Sequence, residues 1–287
     1  MVKIAIVGDI HLAFSDDDLT YFNSSAYDLI LFVGDLSNYW PRQTFRIATR
    51  ISRLRKPSLL IPGNHDTVDL FQLISEVKGW RAAAWLFGLG QGAKHRTLQR
   101  RLGTAQLGGY SLHPYAFAGC RFDVIAARPF SMGGRELGCA AYLKRRYGVA
   151  SMQESAALLK QCIDQSDADQ LIFLAHNGPF GLGEKRHDIW GCDFAKDESD
   201  YGDTDLREAI AYALESGKQV LAVIGGHMHH SLKGGGQRQR HLARDGIHYL
   251  NAARVPRIFQ RDGETCRHHV ALSIDDWRVA FEEVLVS

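Results

Sequence analysis

The sequence predicts an α/β protein. Short, nearly continuous runs of Val, Ile, Leu and Ala recur along the 287 residues, as in strands buried on both faces. Stretches with helical spacing of apolar residues lie between several of them. Five runs end in a Gly- or Pro-containing turn, or directly in His, and each ending carries side chains that bind metals or move protons. In α/β proteins, ligands bind at the carboxyl ends of strands.

Val2 to Val7 is the first strand and ends at Gly8-Asp9-Ile10-His11. Asp16-Asp17-Asp18 reads as a solvated helix start, where acids suit the positive end of the dipole. Leu29 to Val33 is the second strand and ends at Gly34-Asp35. Phe45, Ala48, Ile51 and Leu54, interleaved with Arg46, Arg50 and Arg53, mark a surface helix that Pro57 closes. Ser58-Leu59-Leu60-Ile61 then leads into Pro62-Gly63-Asn64-His65-Asp66, where Pro and Gly set a tight strand exit. Ser75 to Gln106 reads as partly helical, with Trp80, Trp85, Leu86 and Phe87 apolar. Its basic run, Lys94, Arg96, Arg100 and Arg101, reads as a solvated helix face, with a substrate- or partner-binding patch as the alternative.

Phe122 to Ala126 is a strand leading to Arg128, and Ser151 to Ile163 is a helix. Leu171 to Ala175 is a buried strand ending at His176-Asn177-Gly178-Pro179. Phe180 to Thr204 is a long loop, and loops of that length are functional or disordered. Its Asp188, Asp193, Asp200 and Asp203 read as a solvated lid. Asp205-x-x-Glu208 resembles a capping box opening a helix over Leu206 to Leu214. Val220 to Ile224 ends at Gly225-Gly226-His227-Met228-His229-His230. Ile247 to Leu250, Val270 to Ile274 and Arg278 to Val286 complete the strands. One domain over residues 1–287 is the simpler reading, with an insert or cap around 68–160 and the lid-like loop at 180–204.

Composition narrows the function classes. With 45% hydrophobic and 23% charged residues the chain is ordinary for a globular protein, and a formal net charge of +2 is too small to argue for nucleic acid. Five scattered cysteines without a C-x-x-C pair fit reduced thiols better than a disulfide framework or a structural zinc site. The N-terminal apolar run is too short for a signal peptide, and no apolar stretch approaches the ~20 residues of a membrane helix. A cytoplasmic protein with no membrane partner is expected, or a stromal one if the chain is a processed form.

The strand-end set is carboxylate, imidazole and amide with no thiolate, which suits Mn, Fe or Zn. It holds more ligands than one ion uses. A bridging carboxylate would let two cations sit ~3.5–4 Å apart, the arrangement that clamps an in-line displacement at phosphorus. The series Gly8-Asp9-Ile10-His11, Gly34-Asp35, Gly63-Asn64-His65-Asp66, His176 and Gly226-His227-Met228-His229 resembles the calcineurin-like metallophosphoesterase superfamily.

That resemblance implies a four-layer α/β/β/α sandwich with mixed sheets and a dinuclear site. It implies one metal on Asp9, His11, Asp35 and His229, and another on Asp35, Asn64, His176 and His227, with Asp35 as the bridge. His65 would be catalytic, stabilising the phosphoryl oxygens or protonating the leaving oxygen. A hydroxide made from the bridging water would attack phosphorus in line. Leu12 after His11, and Asn38-Tyr39-Trp40 in place of an Asp-Arg-Gly triplet, depart from the Ser/Thr protein phosphatase branch. The substrate expected is a small phosphomonoester or phosphodiester. The alternatives are a non-catalytic scaffold on the same fold and a nuclease, the latter disfavoured by the charge balance and the acidic loop.

Around this set, Arg128 is expected to grip phosphate through its guanidinium fork, against a structural salt bridge. Arg254 and Arg257 are weaker candidates. Asn177 either contacts substrate or shapes its turn. Asp66 either orients His65 or caps the next turn. His230 is not expected to ligate, and His268-His269 reads as a strand surface.

Overall fold

The computed structural model describes residues 1–117 and 119–287. In chain order the elements of the first half are β1 (Val2–Val7), α1 (Asp16–Ser24), β2 (Leu29–Phe32), α2 (Pro41–Ile51) and β3 (Ser58–Leu60). Next come α3 (Leu70–Val77), α4 (Arg81–Phe87), a 3-10 turn at Gly88–Gly90, α5 (Gln91–Arg101), β4 (Gln106–Leu107), β5 (Ser111–Phe117) and β6 (Cys120–Ala126). The second half holds α6 (Ala140–Tyr147), α7 (Met152–Asp164), β7 (Gln170–Leu174), α8 (Thr204–Glu215), β8 (Gln219–Gly225), β9 (His241–Arg244), β10 (Ile247–Asn251), β11 (Ile258–Arg261), β12 (Glu264–Asp275) and β13 (Arg278–Val286).

Two mixed sheets result. In the first, β1 through β4 run parallel, and β12 joins antiparallel beside β1 with Ile4 opposite Leu272. In the second, β6, β7, β8 and β10 are parallel, with β5 and β9 antiparallel at its edges. Strand alternation splits the apolar side chains between two cores. Val2, Ile4 and Ile6 face the interior shared with Val124, Ile172 and Val223 of the second sheet. Ala5 and Val7 face α1, α2 and α5 through Phe22, Ile47 and Leu98. On the far side, Leu159 of α7 and Ile210 of α8 cover the second sheet. The order is helix, sheet, sheet, helix, the four-layer sandwich expected.

Several local expectations change. Asp205 does not open α8; Asp203 does, and the Asp205 carboxylate is taken by Arg128 and Ser155, so no capping box forms. The loop over 180–204 is a folded strap rather than a solvated lid. Asp203 is buried; Asp193 holds Arg238 at 3.2 Å; Asp200 accepts the N–H groups of Gly181 and Leu182 at 2.7 and 3.1 Å; and Asp188 accepts that of Lys185. The strap's Trp190 lies so close over Gly178 that a Cβ there would meet its ring at 2.1 Å. His268 and His269 are buried, not surface, because β12 is covered on both faces, and His269 shares a 2.7 Å hydrogen bond with the Tyr27 hydroxyl. Asp18 is buried with Arg257 at 2.8 Å and closes a capping box with Ser15, so only part of the acidic helix start is solvated.

Candidate metal centre

Five strand ends from both sheets meet at one place. The turn after β1 carries Asp9 and His11, that after β2 carries Asp35, and that after β3 carries Asn64 and His65. The turns after β7 and β8 bring His176, His227 and His229 from the facing sheet. Backbone bonds lace the turns together. His11 N–H donates to Asp35 O at 2.7 Å, Gly226 N–H to His176 O at 2.7 Å, and His227 N–H to the Asp9 carboxylate at 3.0 Å. His11, Asp35 and His227 all sit at positive φ (41°, 50° and 66°), a costly conformation for non-glycine residues that the lacing holds in place. Gly63 and Gly226 leave no room for a side chain. A Cβ at Gly63 would lie 2.2 Å from Asp35 Oδ1, and one at Gly226 would lie 2.3 Å from Asp9 Oδ1.

Two groups of donor atoms form. Those of Asp9, His11 and His229 lie within 4.8 Å of one another, as do those of Asp35, His176 and His227. Asp35 faces both: Oδ2 is 3.7 Å from His11 Nε2 and Oδ1 is 3.5 Å from His176 Nε2. Asn64 Oδ1 lies 3.0 Å from both His176 Nε2 and His227 Nδ1.

Proton positions decide what this cluster can hold. A carbonyl oxygen only accepts, so His176 Nδ1–H donates to Val33 O at 2.6 Å and His227 Nε2–H donates to Met132 O at 3.1 Å. In the neutral form of either ring the other nitrogen then points a lone pair at Asn64 Oδ1, itself an acceptor. In the group of Asp9, His11 and His229, His11 Nδ1–H donates to Asn38 Oδ1 at 2.7 Å, so its Nε2 faces His229 Nε2 at 3.3 Å. Around Asn64, acceptors converging on an acceptor suit a cation between them, and backbone partners are what orient ligating imidazoles in metal sites.

The charge balance agrees. Burial holds His227 and His229 down to about 3 and 4, helped by neighbouring imidazoles, so both rings are neutral and able to coordinate near pH 7. Burial and then the Asp35 charge push Asp9 up to about 7. Burial also pushes Asp35 up, but the imidazoles of His176, His65 and His11 outweigh it and hold Asp35 below the ordinary carboxylate range. Cations would relieve the carboxylate repulsion that raises Asp9.

His65 stands beside the cluster. Its N–H donates to Asp35 Oδ1 at 2.9 Å, its Nδ1 donates to Asn38 O, and Tyr39 packs edge-on against the ring at 5.5 Å. A cleft of ≈ 240 Å³ opens over Asp35, His65, His227 and His229, with Phe194 and Lys233 on its rim. Asp66 neither orients His65 nor caps a turn alone: its two oxygens accept Leu36 N–H at 2.9 Å and Gly63 N–H at 3.0 Å, stapling two ligand turns.

Arg128 and Asn177 take their structural alternatives, a salt bridge and a shaped turn, rather than the substrate contacts. Arg128 is 1% exposed, and its guanidinium is bound to Asp203 at 2.7 Å and Asp205 at 2.8 Å. Two carboxylates from α8 and its cap occupy the fork that a phosphate would need. Asn177 is fully buried, its amide donating to Tyr201 O at 2.9 Å, which is the turn-shaping alternative. Arg257 is buried on Asp18, and Arg254 stacks on Phe259 at 4.2 Å. His230 turns away from the ligands and bonds Asn251 O at 2.9 Å. Sequence reasoning missed Asn38, which orients both His11 and His65. Its signal was the motif departure at Asn38-Tyr39-Trp40, read only as marking a branch. Lys233, beside the Gly-rich turn, was missed as a rim cation.

Residues 2–231 match the sequence profile of the calcineurin-like phosphoesterases. No curated protein sequence matches the chain. Among solved structures, TT1561 of Thermus thermophilus is 12% identical over 98% of each chain, with a TM-score of 0.53. A metallophosphoesterase from Sphaerobacter thermophilus is 13% identical over 99% of this chain and 88% of its own, at a TM-score of 0.35. Vps29 of Chaetomium thermophilum is 11% identical over 100% and 95%, at 0.30. At such identities the first bears on the fold alone, and the other two add nothing to it.

Proposed function

Because the chain belongs to the calcineurin-like phosphoesterase family, we propose that it hydrolyses a small phosphomonoester or phosphodiester with the help of two metal ions. Asp9, His11, Asp35 and His229 would hold one ion, and Asp35, Asn64, His176 and His227 the other. The ions, Mn, Fe or Zn by donor chemistry, would supply Lewis acidity toward the phosphoryl oxygens and acidify a water. The observation that carries this reading is the convergence of imidazole lone pairs and the two oxygens of Asp35 on two adjoining points.

The residues of the chain have their own work. With Nδ1–H held by the Asn38 carbonyl, His65 directs Nε2 outward. In its imidazolium form Nε2–H can donate to a phosphoryl oxygen or give its proton to the leaving alkoxide. Lys233 at the rim offers a point charge for a phosphate oxygen, held by its N–H bond to Asp193 at 2.8 Å and its contact with Phe194. Completeness of the ligand set and the presence of His65 favour catalysis over a scaffold.

The test is hydrolysis of p-nitrophenyl phosphate and its bis ester with added Mn, Fe or Zn. Turnover of at least one ester, abolished by chelator and restored by metal, is expected. No turnover with any of the three metals on either ester would move the protein to the scaffold class.

A further inference from the structure

The three short helices α3, α4 and α5 follow directly on the His65 turn, and α3 is built inside out. Its polar side chains Gln72 and Ser75 are buried, and the Gln72 amide donates to Gln91 at 2.7 Å beneath it. Its apolar side chains Phe71, Ile74 and Val77 face solvent, and only Leu73 packs partly buried against the core. The neighbouring turn and helix also expose large apolar side chains. Trp80 is 58% exposed and Trp85 53%, with Leu86, Phe87 and Leu89 beside them. Phe71 stacks on Phe87 at 5.7 Å, so the two helices present one continuous apolar face. A contiguous face of this kind marks an interaction surface.

Charge identifies what would cover it. Lys78, which caps α3, and Arg81, the first residue of α4, are both exposed at the junction of the two helices. The Arg145 guanidinium donates to Gly88 O at 3.2 Å, which sets the exposed last-turn cations of α6, Lys144, Arg145 and Arg146, at its rim. The two acids of the segment are already engaged: Asp69 is paired with Lys94, and Glu76 is partly buried, its carboxyl pushed up by burial. A second copy would bring like charges face to face. Tryptophan and phenylalanine surrounded by Lys and Arg on short helices match the interfacial plane of a bilayer with anionic headgroups.

We propose that the face formed by α3 and α4 docks on an anionic lipid surface. Among the described residues no helix is long and apolar enough to cross a membrane, so the chain would lie on the surface rather than span it. The expectation of no membrane partner rested on the lack of a spanning stretch, which says nothing about an outward-facing apolar face. Leu70 follows His65 so closely in the chain that about 18 Å of fully extended backbone is the most that can separate them, so docking would hold the metal centre close to the headgroups.

The test is sedimentation of the full chain with vesicles of phosphatidylcholine containing about one-third phosphatidylglycerol, at physiological ionic strength. Binding is expected, with a blue shift of tryptophan emission, and weaker binding to pure phosphatidylcholine. The pair Trp80→Ser and Trp85→Ser should lose most binding, and Arg81→Ala about fivefold. Circular dichroism and ester hydrolysis should stay unchanged in every variant. Absence of binding to the anionic vesicles would overturn the proposal, as would binding indifferent to both tryptophans. So would a vesicle-free dimer that the tryptophan variants dissociate, which would assign the face to a second copy.

Discussion

The turn at residues 62–67 and the helices at 70–101 are neighbours in sequence and opposites in construction. In the turn, polar groups are packed inward and nearly all are bonded: Asp66 to two backbone N–H groups, Asn64 among imidazoles, His65 to Asp35 and Asn38. In α3, Gln72 and Ser75 are also inward, but Phe71, Ile74 and Val77, like Trp85 and Leu86 of α4, are outward. The difference separates two kinds of local cost. The turn tolerates backbone strain and tight glycine contacts in order to place ligands, whereas the helices leave apolar area exposed that a soluble face would hide. The first is rigid by bonding; the second leaves its outer apolar face open to solvent.

The contrast can be broken first at His65. His65→Ala should keep its metal and lose about 10²–10⁴-fold in turnover, read as kcat on the bis ester. Full activity in that variant would remove the turn's catalytic part. Next comes the packing behind the turn. Arg128→Leu should cost about 3–5 kcal/mol in urea unfolding, because Asp203 and Asp205 would be left buried without a counter-charge. If instead the variant folds normally and loses affinity for substrate, Arg128 is a phosphate contact after all.

A smaller effect separates the regions by pH. Burial, then Arg146 and Arg96, holds His95 of α5 down to about 4, and burial, then Arg257, does the same for His269. Both lie below the ordinary 6.5, so each is neutral in the fold and takes up its proton more readily when unfolded. Their contribution is fully present above pH 6.5 and is lost as pH falls toward 4, up to about 3 kcal/mol each. The excess of the wild-type unfolding midpoint over that of His269→Gln should therefore be flat from pH 8 to 7 and shrink below 6.5. The smallest effect is on the outward face: Phe71→Ser should change stability by no more than about 0.5 kcal/mol by thermal unfolding, since little is buried there. A loss of several kcal/mol would mean that this face is core.

How much of this was legible in the sequence depended on whether a residue's role is local. Strand ends such as Gly34-Asp35 and Gly226-His227 are written in consecutive residues, so the strands and the converging set could be read. Arg128 could not, because its partners lie 75 and 77 positions away, and nothing near Arg128 signals two buried aspartates. Asp205 was misread for the same reason: an Asp near a helix start looks like a cap until a distant arginine claims it. Trp80, Trp85 and Phe87 were seen as apolar, but periodicity does not say which side of a helix meets the core, and α3 inverts the usual answer. Asn38 was noticed as a departure from a motif and not as the residue that fixes two imidazoles.

The central claim is that Asp35 joins two metal positions. Its most direct test is metal content per chain, by elemental analysis after loading with Mn and removal of free ion, in the wild type and in Asp35→Asn. Two ions in the wild type and less than one in the variant is the result expected. Two ions retained by Asp35→Asn, or a wild type that takes up none, would contradict it.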